Sequence, residues 1–517
     1  MKKKLKKYHK VIMLLLLVIV FFSFSIVITW DSTHYLTYVN IFEGASKFST
    51  WDIVRGPVFP YIIYLGFLFF GKTIQGTLLL MFLFYLVYVL LVNYFCNILF
   101  RKKKVLKYII LLFCIFNPII FGYYHTLLTE FVAVTLALLS CYFATKWWKV
   151  NTKKEKIIDS LYFIIALPFA WFLKQPYICC VLIPMCVSTL IALCNNHTKQ
   201  KVLYYVGTCI FSVFFLAFSI WGWNKFLIYK GVNMNTGRDS SSMMSMQIIQ
   251  GVQYFRYENN FDFENLNTNN YLSEEEKEYI SKNLNDNKDN LRIISIYDNN
   301  KLIEQDVIEV DKNGIPSTKD AVIQIGKTFF KYPTLIIKNY IRNYCALSSV
   351  CKISTQNGVT YNVTNEFDFI DTFEHKSIAY KNYNYNSDNS FYFPEERQYL
   401  VNNLTQTTSI GILGHVENLL EIPTNIVFKI TILLLPFALL ELIVMGIIKR
   451  KKIINDNLYI TGLILLSYSF LAVFANALSG AIIDRYVTAM FIPGLLGIIV
   501  ATVLIIRICK NKNKIKE

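Results

Sequence analysis

A chain of 517 residues that is 54% hydrophobic and only 17% charged is too apolar for an ordinary soluble domain, and it reads as a polytopic α-helical membrane protein. The net charge of +17 does not signal a nucleic-acid partner, because the Lys and Arg gather in short clusters at the ends of apolar runs rather than in a stripe between base-stacking aromatics. All eleven cysteines except Cys345 and Cys351 fall in or beside apolar runs, where cysteine acts as a small hydrophobe, and the absence of any CxxC pair argues against a zinc site.

In chain order, MKKKLKKYHK precedes the apolar run VIMLLLLVIVFFSFSIVITW, which is too long for a cleaved leader and lacks a small-x-small site before Trp30. It is expected to be a retained anchor spanning about 11–30, basic end inside, so that Asp31 emerges where membrane meets water. The stretch from Trp30 to Pro60, WDSTHYLTYVNIFEGASKFSTWDIVRGPVFP, then supplies His34, Glu43, Asp52 and Arg55. A carboxylate at a membrane edge is costly and marks a functional site by default; the plainer alternative is that Asp31 only ends a helix at the headgroups. Pro57 to Gly71 makes a helix of about 15 residues, or about 22 Å, too short to cross and so expected along the outer interface. If it crossed, Arg101 to Lys104 would fall outside.

Further spans are expected at about 76–100, as a pair within 105–146 broken near Gly122 to His125, and at 157–173, 176–195 and 202–223, the last ending outside at WGWNKF. Residues 231–420 change character, being polar and rich in Asn, Asp, Lys and Tyr; they are expected to form an extracytoplasmic mixed α/β or mainly α domain with a small core. Within it, SEEEKEYISKNL reads as a helix capped by Ser273, with Glu274, Glu275 and Glu276 in its first turn. The segment Ala321 to Tyr344 is helical and broken at Pro333, lying either on the membrane surface or on the transmembrane core. Tyr380 to Tyr392 reads as a loop, or else a sugar-contacting surface, and Cys345 and Cys351 are candidates for a disulfide. Closing spans at 424–448, 457–478 and 487–508 bring the total to about ten, with 1–230 and 421–517 as membrane regions and both termini cytoplasmic. The Lys-, Ile- and Asn-heavy composition suggests a bacterial chain and hence the plasma membrane.

That topology, assigned from the inner basic clusters, puts Asp31, Asp52, Arg55, Glu130, Lys174, Asp484 and Arg485 on one outer side. An acid after the first span, RGPVFPY about twenty residues on, YHTLLTEFVAV with Glu130, FLKQPY with Lys174, and IDRYVTAMFIPGLL with Arg485 and Tyr486 together resemble GT-C-type membrane glycosyltransferases. That superfamily includes the protein O-mannosyltransferases and the lipid A aminoarabinose transferase. The resemblance covers the membrane part and not 231–420. It implies transfer of a sugar from a polyprenyl-phosphate donor to a protein, lipid or wall-polymer acceptor, with Asp31 as general base and Glu130 and Asp52 as alternates. It also implies Arg55, Lys174 and Arg485 as a clamp on the lipid phosphate, with Tyr486 and His34 as further substrate contacts. His34 and His125 otherwise read as interfacial polar residues rather than metal ligands, Glu441 inside the eighth span has no assigned role, and metal dependence stays open. A lipid-linked-sugar flippase would use the same groups as ion relays, but acids midway along spans are nearly absent; a polysaccharide polymerase or ligase shares the topology and would rely on basic residues of the large loop.

Overall fold

The computed structural model describes residues 2–24, 26, 30–44, 48, 56–100, 103–147, 152–195, 199–232, 255–258, 270, 272–287, 291–298, 301–310, 317–348, 353–354, 360–361, 411–448, 456–478 and 484–513. Its N-terminal half holds helices α1 (Lys2–Phe21), α2 (Trp30–Phe42), α3 (Val58–Phe70), α4 (Ile74–Leu99), α5 (Lys104–Ile115), α6 (Pro118–Tyr123), α7 (Glu130–Trp147), α8 (Lys153–Leu173), α9 (Cys179–Asn195) and α10 (Lys199–Tyr229). Strands β1 (Phe255–Glu258), β2 (Leu291–Asp298) and β3 (Lys301–Glu309), with α11 (Glu274–Asn287) between β1 and β2, precede α12 (Thr318–Lys331) and α13 (Pro333–Leu347). A two-stranded ribbon, β4 (Ile353–Ser354) and β5 (Thr360–Tyr361), follows, and the chain closes with α14 (Gly411–Ile448), α15 (Asn457–Leu478) and α16 (Asp484–Asn513).

Among the described residues, six helical stretches are long and apolar enough to cross a membrane: Ile74–Leu99, Gln175–Cys194, Val202–Tyr229, Ile422–Ile448, Asn457–Leu478 and Val487–Arg507. The chain is therefore a helical, membrane-embedded protein. The last three match the expected closing spans closely. The other four expected spans fall on α1 and α5, whose apolar runs are short, and on α7 and α8, which are continuous over 18 and 21 residues but carry charged residues at their ends. The first expected span ends early: α1 stops at Phe21, and Trp30 opens a separate helix. Ser23 bends its hydroxyl back to the Ile19 carbonyl (2.6 Å), and the Phe21 carbonyl accepts the Phe24 N–H at 3.4 Å and meets the His125 imidazole at 2.9 Å. Asp31 thus sits in the first turn of α2 rather than at the foot of the first span, and the expected loop 31–56 is helical as far as Phe42.

The pair expected over 105–146 breaks near Gly122 to His125 as anticipated, and also earlier, at Phe116 and Asn117. Pro118 disfavours helix at the residue before it, and Asn117 caps α6 by accepting the Ile120 N–H at 3.2 Å. Backbone that leaves a helix inside an apolar bundle must find partners within the protein. Tyr85 and Tyr88 of α4 donate to the Ile115 and Cys114 carbonyls, both at 2.6 Å, and the two ring nitrogens of His125 stand 2.9 Å from the Phe121 and Phe21 carbonyls, the neutral ring donating to one of them. His125 is wholly buried, with Phe21 and Phe121 ring centroids 4.2 and 4.5 Å away, and so is not the interfacial residue expected. The seventh span likewise continues through WGWNKF to Tyr229.

Helix α7 is the axis of the bundle. It is buried along nearly its whole length and packs against α4, α8, α9, α15 and α16. Its end is tied to α10 through the Trp147 indole, which donates to Tyr204 Oη at 3.1 Å, and through Tyr205, which donates to the Trp147 carbonyl at 2.9 Å. Helices α15 and α16 approach closely because Gly462 and Gly497 stand at their contact: a Cβ there would come within 2.5 Å of Val500 and 2.7 Å of Leu466. Helix α3 buries Phe59, Ile63, Gly66 and Phe67 on one face, and its prolines lie at its start, as expected.

Strands β1, β2 and β3 form an antiparallel sheet in that order that packs Ile293 and Val307 against Leu272 and Ile280 in a small core. Helix α11 carries the anticipated cap in reciprocal form: Ser273 Oγ accepts the Glu276 N–H at 3.2 Å, and the Glu276 carboxylate accepts the Ser273 N–H at 2.7 Å. Ser273→Ala is expected to weaken α11 by about 1 kcal/mol, read as faster amide exchange confined to 274–287; unchanged exchange refutes the cap. The break at Pro333 separates α12 from α13 as expected, and α13 lies on the transmembrane core: Asn343 Nδ2 donates to the Ala477 carbonyl at 2.9 Å and Tyr344 Oη to the Ile432 carbonyl at 2.6 Å. Cys351 and Tyr380 to Tyr392 lie outside the described residues.

Candidate active site at the start of helix α7

Glu130 opens α7, where a carboxylate complements the partial positive charge of a helix N-terminus. Thr129 Oγ1 donates to Glu130 Oε2 at 3.2 Å, and the carboxylate is only 2% exposed. Its cation arrives from the junction of α8 and α9. There the KQP sequence ends α8: Lys174 is extended (φ −170°), its N–H returns to the Ala170 carbonyl at 3.2 Å, and Pro176 starts a short 3-10 turn over Gln175–Ile178. The break turns the Lys174 side chain toward α7, with Nζ 3.8 Å from Glu130 Oε1 and 6.0 Å from the centre of the Tyr177 ring. At 18% exposure Lys174 is reachable from outside the bundle, whereas Glu130 is not.

The RGP motif reaches the same place. A Cβ on Gly56 would stand 1.8 Å from the Phe172 carbonyl oxygen and 2.4 Å from its carbon, so the backbone after Arg55 lies directly on the last turn of α8, two residues before Lys174. Glycine at 56 is a steric requirement. Gly56→Ala is expected to force these segments apart, costing about 1–3 kcal/mol of stability in a thermal melt and disturbing whatever the Lys174 end of α8 binds; a melt unchanged by the substitution contradicts the contact.

Three aromatic rings connect the remaining pieces. Phe59, one turn beyond the RGP motif, packs edge-on against Tyr35 of α2 (4.8 Å) and Phe131 of α7 (5.6 Å), the residue after Glu130. Tyr35 is four residues after Asp31, so the two lie one above the other on α2, and the helix that carries Asp31 is fixed beside the start of α7. Helix α16 also packs against α7, with Arg485 and Tyr486 in its first turn. The structure thus brings together Glu130, Lys174, the Gly56 backbone and the helix bearing Asp31 and His34. The side chains of Asp31, His34, Arg485 and Tyr486, and all of Asp52 and Arg55, lie outside the described residues.

Sequence reasoning missed the Gly56 approach, although a glycine between Arg and Pro was there to notice. It also missed the Phe59 hub and the buried role of His125, for which spacing carries no signal. Among the described residues no cluster of His, Cys, Asp and Glu has the makings of a metal site. No protein-family model matches this chain, and no curated protein or solved structure matches it. Chemically, the arrangement offers a buried carboxylate that orients an ammonium, and an ammonium that retains enough exposure to meet an anion such as a phosphate.

Proposed function

We propose that the chain is a GT-C-type membrane glycosyltransferase that moves a sugar from a polyprenyl-phosphate donor to an extracytoplasmic acceptor with inversion at the anomeric carbon. The observation that carries this reading is the meeting of the RGP backbone, at Gly56, with the end of α8 that presents Lys174 to Glu130. Three of the motifs on which the resemblance rests come from separate parts of the sequence and are neighbours in space.

In this reading the acceptor's nucleophilic atom attacks the anomeric carbon while its proton passes to the Asp31 carboxylate, and the bond from that carbon to the phosphate oxygen breaks. The leaving group is a lipid phosphate that is stable as an anion, so no second carboxylic acid need protonate it, unlike a glycoside hydrolase. Lys174, held by Glu130, joins Arg55 and Arg485 in neutralising that phosphate. Glu130 is too enclosed to reach an acceptor; its role is to hold the cation.

The topology that goes with this reading has ten spans, α1, α5, α7 and α8 crossing together with the six longer stretches, in the plasma membrane with both termini cytoplasmic. The segment 231–420 and the α3 end at Lys72 then face outside. Lys72, which pairs with Glu43 at 2.5 Å, and Lys327 are both exposed. Cysteines placed at either position in a variant lacking other cysteines are expected to react with an impermeant maleimide in intact cells; reaction only after permeabilisation rejects the topology. For the activity itself, purified protein in liposomes is given a labelled polyprenyl-phosphate sugar on the outer face. Free polyprenyl phosphate with a labelled acceptor supports transfer, while movement of intact donor across the bilayer establishes a flippase instead.

A further inference from the structure

Helix α12 has its faces reversed for an element surrounded by water. Gln324 and Thr328 are buried, at 6% and 2% exposure, and on the same side Lys327 pairs with Asp306 at 3.8 Å while Lys331 and Tyr332 bond to Glu304, both carboxylates belonging to β3. On the opposite side Val322, Ile323, Phe329 and Phe330 are exposed, Phe330 at 84%. Gly326, among them, has open space where a Cβ would point. At about 100° per residue, 324, 327, 328 and 331 fall in one arc and 322, 323, 326, 329 and 330 in the other. The sheet takes the polar face, and the apolar face is turned outward.

What covers that face follows from where the helix is held. Helix α13 continues from α12 through Tyr332, exposes Ile337 and Ile341, and is pinned by Asn343 to the Ala477 carbonyl and by Tyr344 to the Ile432 carbonyl. Ala477 is the next-to-last residue of α15, a membrane-crossing candidate, so the pin lies where that helix leaves the hydrocarbon. The exposed apolar surface of α12 and α13 is therefore continuous with a membrane boundary. Exposed Lys319 and Lys338 on the same two helices suit lipid phosphates.

We propose that α12 and α13 form an in-plane membrane anchor whose Val322, Ile323, Phe329 and Phe330 enter the headgroup–acyl boundary of a phospholipid bilayer and hold the β1-β2-β3 sheet against the membrane surface. A helix of this kind sinks about 5–10 Å into that boundary. The inference concerns a lipid surface and stands whether or not the chain transfers sugars.

The test places the photoreactive p-azidophenylalanine at Phe330 or Ile323 of the full-length protein, reconstituted in vesicles of phosphatidylcholine and phosphatidylglycerol. Phe330→p-azidophenylalanine is a conservative change at an exposed site, and monodispersity before reconstitution verifies folding. Irradiation is expected to give covalent phospholipid adducts, read by mass, at both positions and none at Glu274, which is exposed on α11. Absence of lipid adducts at 323 and 330, or crosslinking of those positions to a second copy of the chain, overturns the proposal.

Discussion

If the chain is the proposed glycosyltransferase, Asp31→Asn is expected to lower the rate of sugar transfer by about 10² to 10⁴-fold, the usual worth of a general base, with donor affinity little changed. Asparagine keeps the size and much of the hydrogen-bonding capacity of aspartate but cannot accept the acceptor's proton, so the loss falls on the chemical step. The expectation rests on the position of Asp31 in the first turn of α2, one turn from Tyr35, whose ring is locked against Phe59 beside the start of α7. Single-turnover transfer measured as a function of pH is the check. The wild-type rate should fall on the acid side as the carboxylate is protonated, and the variant should lose that limb. Near-normal transfer by a folded Asp31→Asn protein would move the base to another carboxylate, with Asp52 next in line.

Lys174→Met is the second large effect, because it removes the cation 3.8 Å from a carboxylate that is almost wholly buried. Breaking one side of a buried ion pair costs about 3–5 kcal/mol, whereas replacing both partners by uncharged groups of similar shape restores most of that. The double variant Glu130→Gln/Lys174→Met should therefore melt close to wild type while Lys174→Met alone melts far below it. Binding separates from folding in the same set. If Lys174 meets the donor phosphate, the double variant remains folded yet loses affinity for a non-transferable polyprenyl-phosphate analogue. A coupling energy below about 0.5 kcal/mol in the stability cycle shows that the two residues do not act as a pair. Arg485→Lys and Arg55→Lys extend the experiment, since a guanidinium grips phosphate through a planar fork that an ammonium does not copy.

The membrane class, the three closing helices, the Ser273 cap and the Pro333 break were all legible in the sequence, because each depends on local composition or on a residue with one strong conformational preference. The early end of α1 was not, since VIVFFSFSIVIT is mostly apolar, with small hydroxyl residues that a membrane helix tolerates, and what packs on the helix end includes an imidazole from far along the chain. Nor was the break at Phe116 and Asn117 read, although Asn-Pro within an apolar run is a helix boundary in waiting. At the candidate site the residue types were visible and their partners were not. The sequence offers Glu130 as an alternate base and Lys174 as part of a phosphate clamp, and only three-dimensional placement makes them one pair. The reversed faces of α12 were equally hidden: periodicity reveals two faces but does not say which one turns inward.

The contact between His125 and the end of α1 at Phe21 joins residues 104 positions apart, and this bears on how the protein is built during synthesis. Helix α1 precedes the other described helices in the chain, yet the imidazole that packs on its end is made only after α2, α3, α4, α5 and α6. Until then the end of α1 can seat only on α4, where the Phe21 ring lies 5.1 Å from those of Phe82 and Tyr85, and the side of Phe21 that His125 and Phe121 cover stays open. The N-terminal helices are thus expected to insert early and lock late, the segment from Asn117 to Glu130 acting as the keystone of assembly. A ribosome-stalled chain ending before residue 120 should leave α1 accessible to a membrane protease or lipid probe, and one extended well past Glu130, with α7 clear of the ribosome, should protect it.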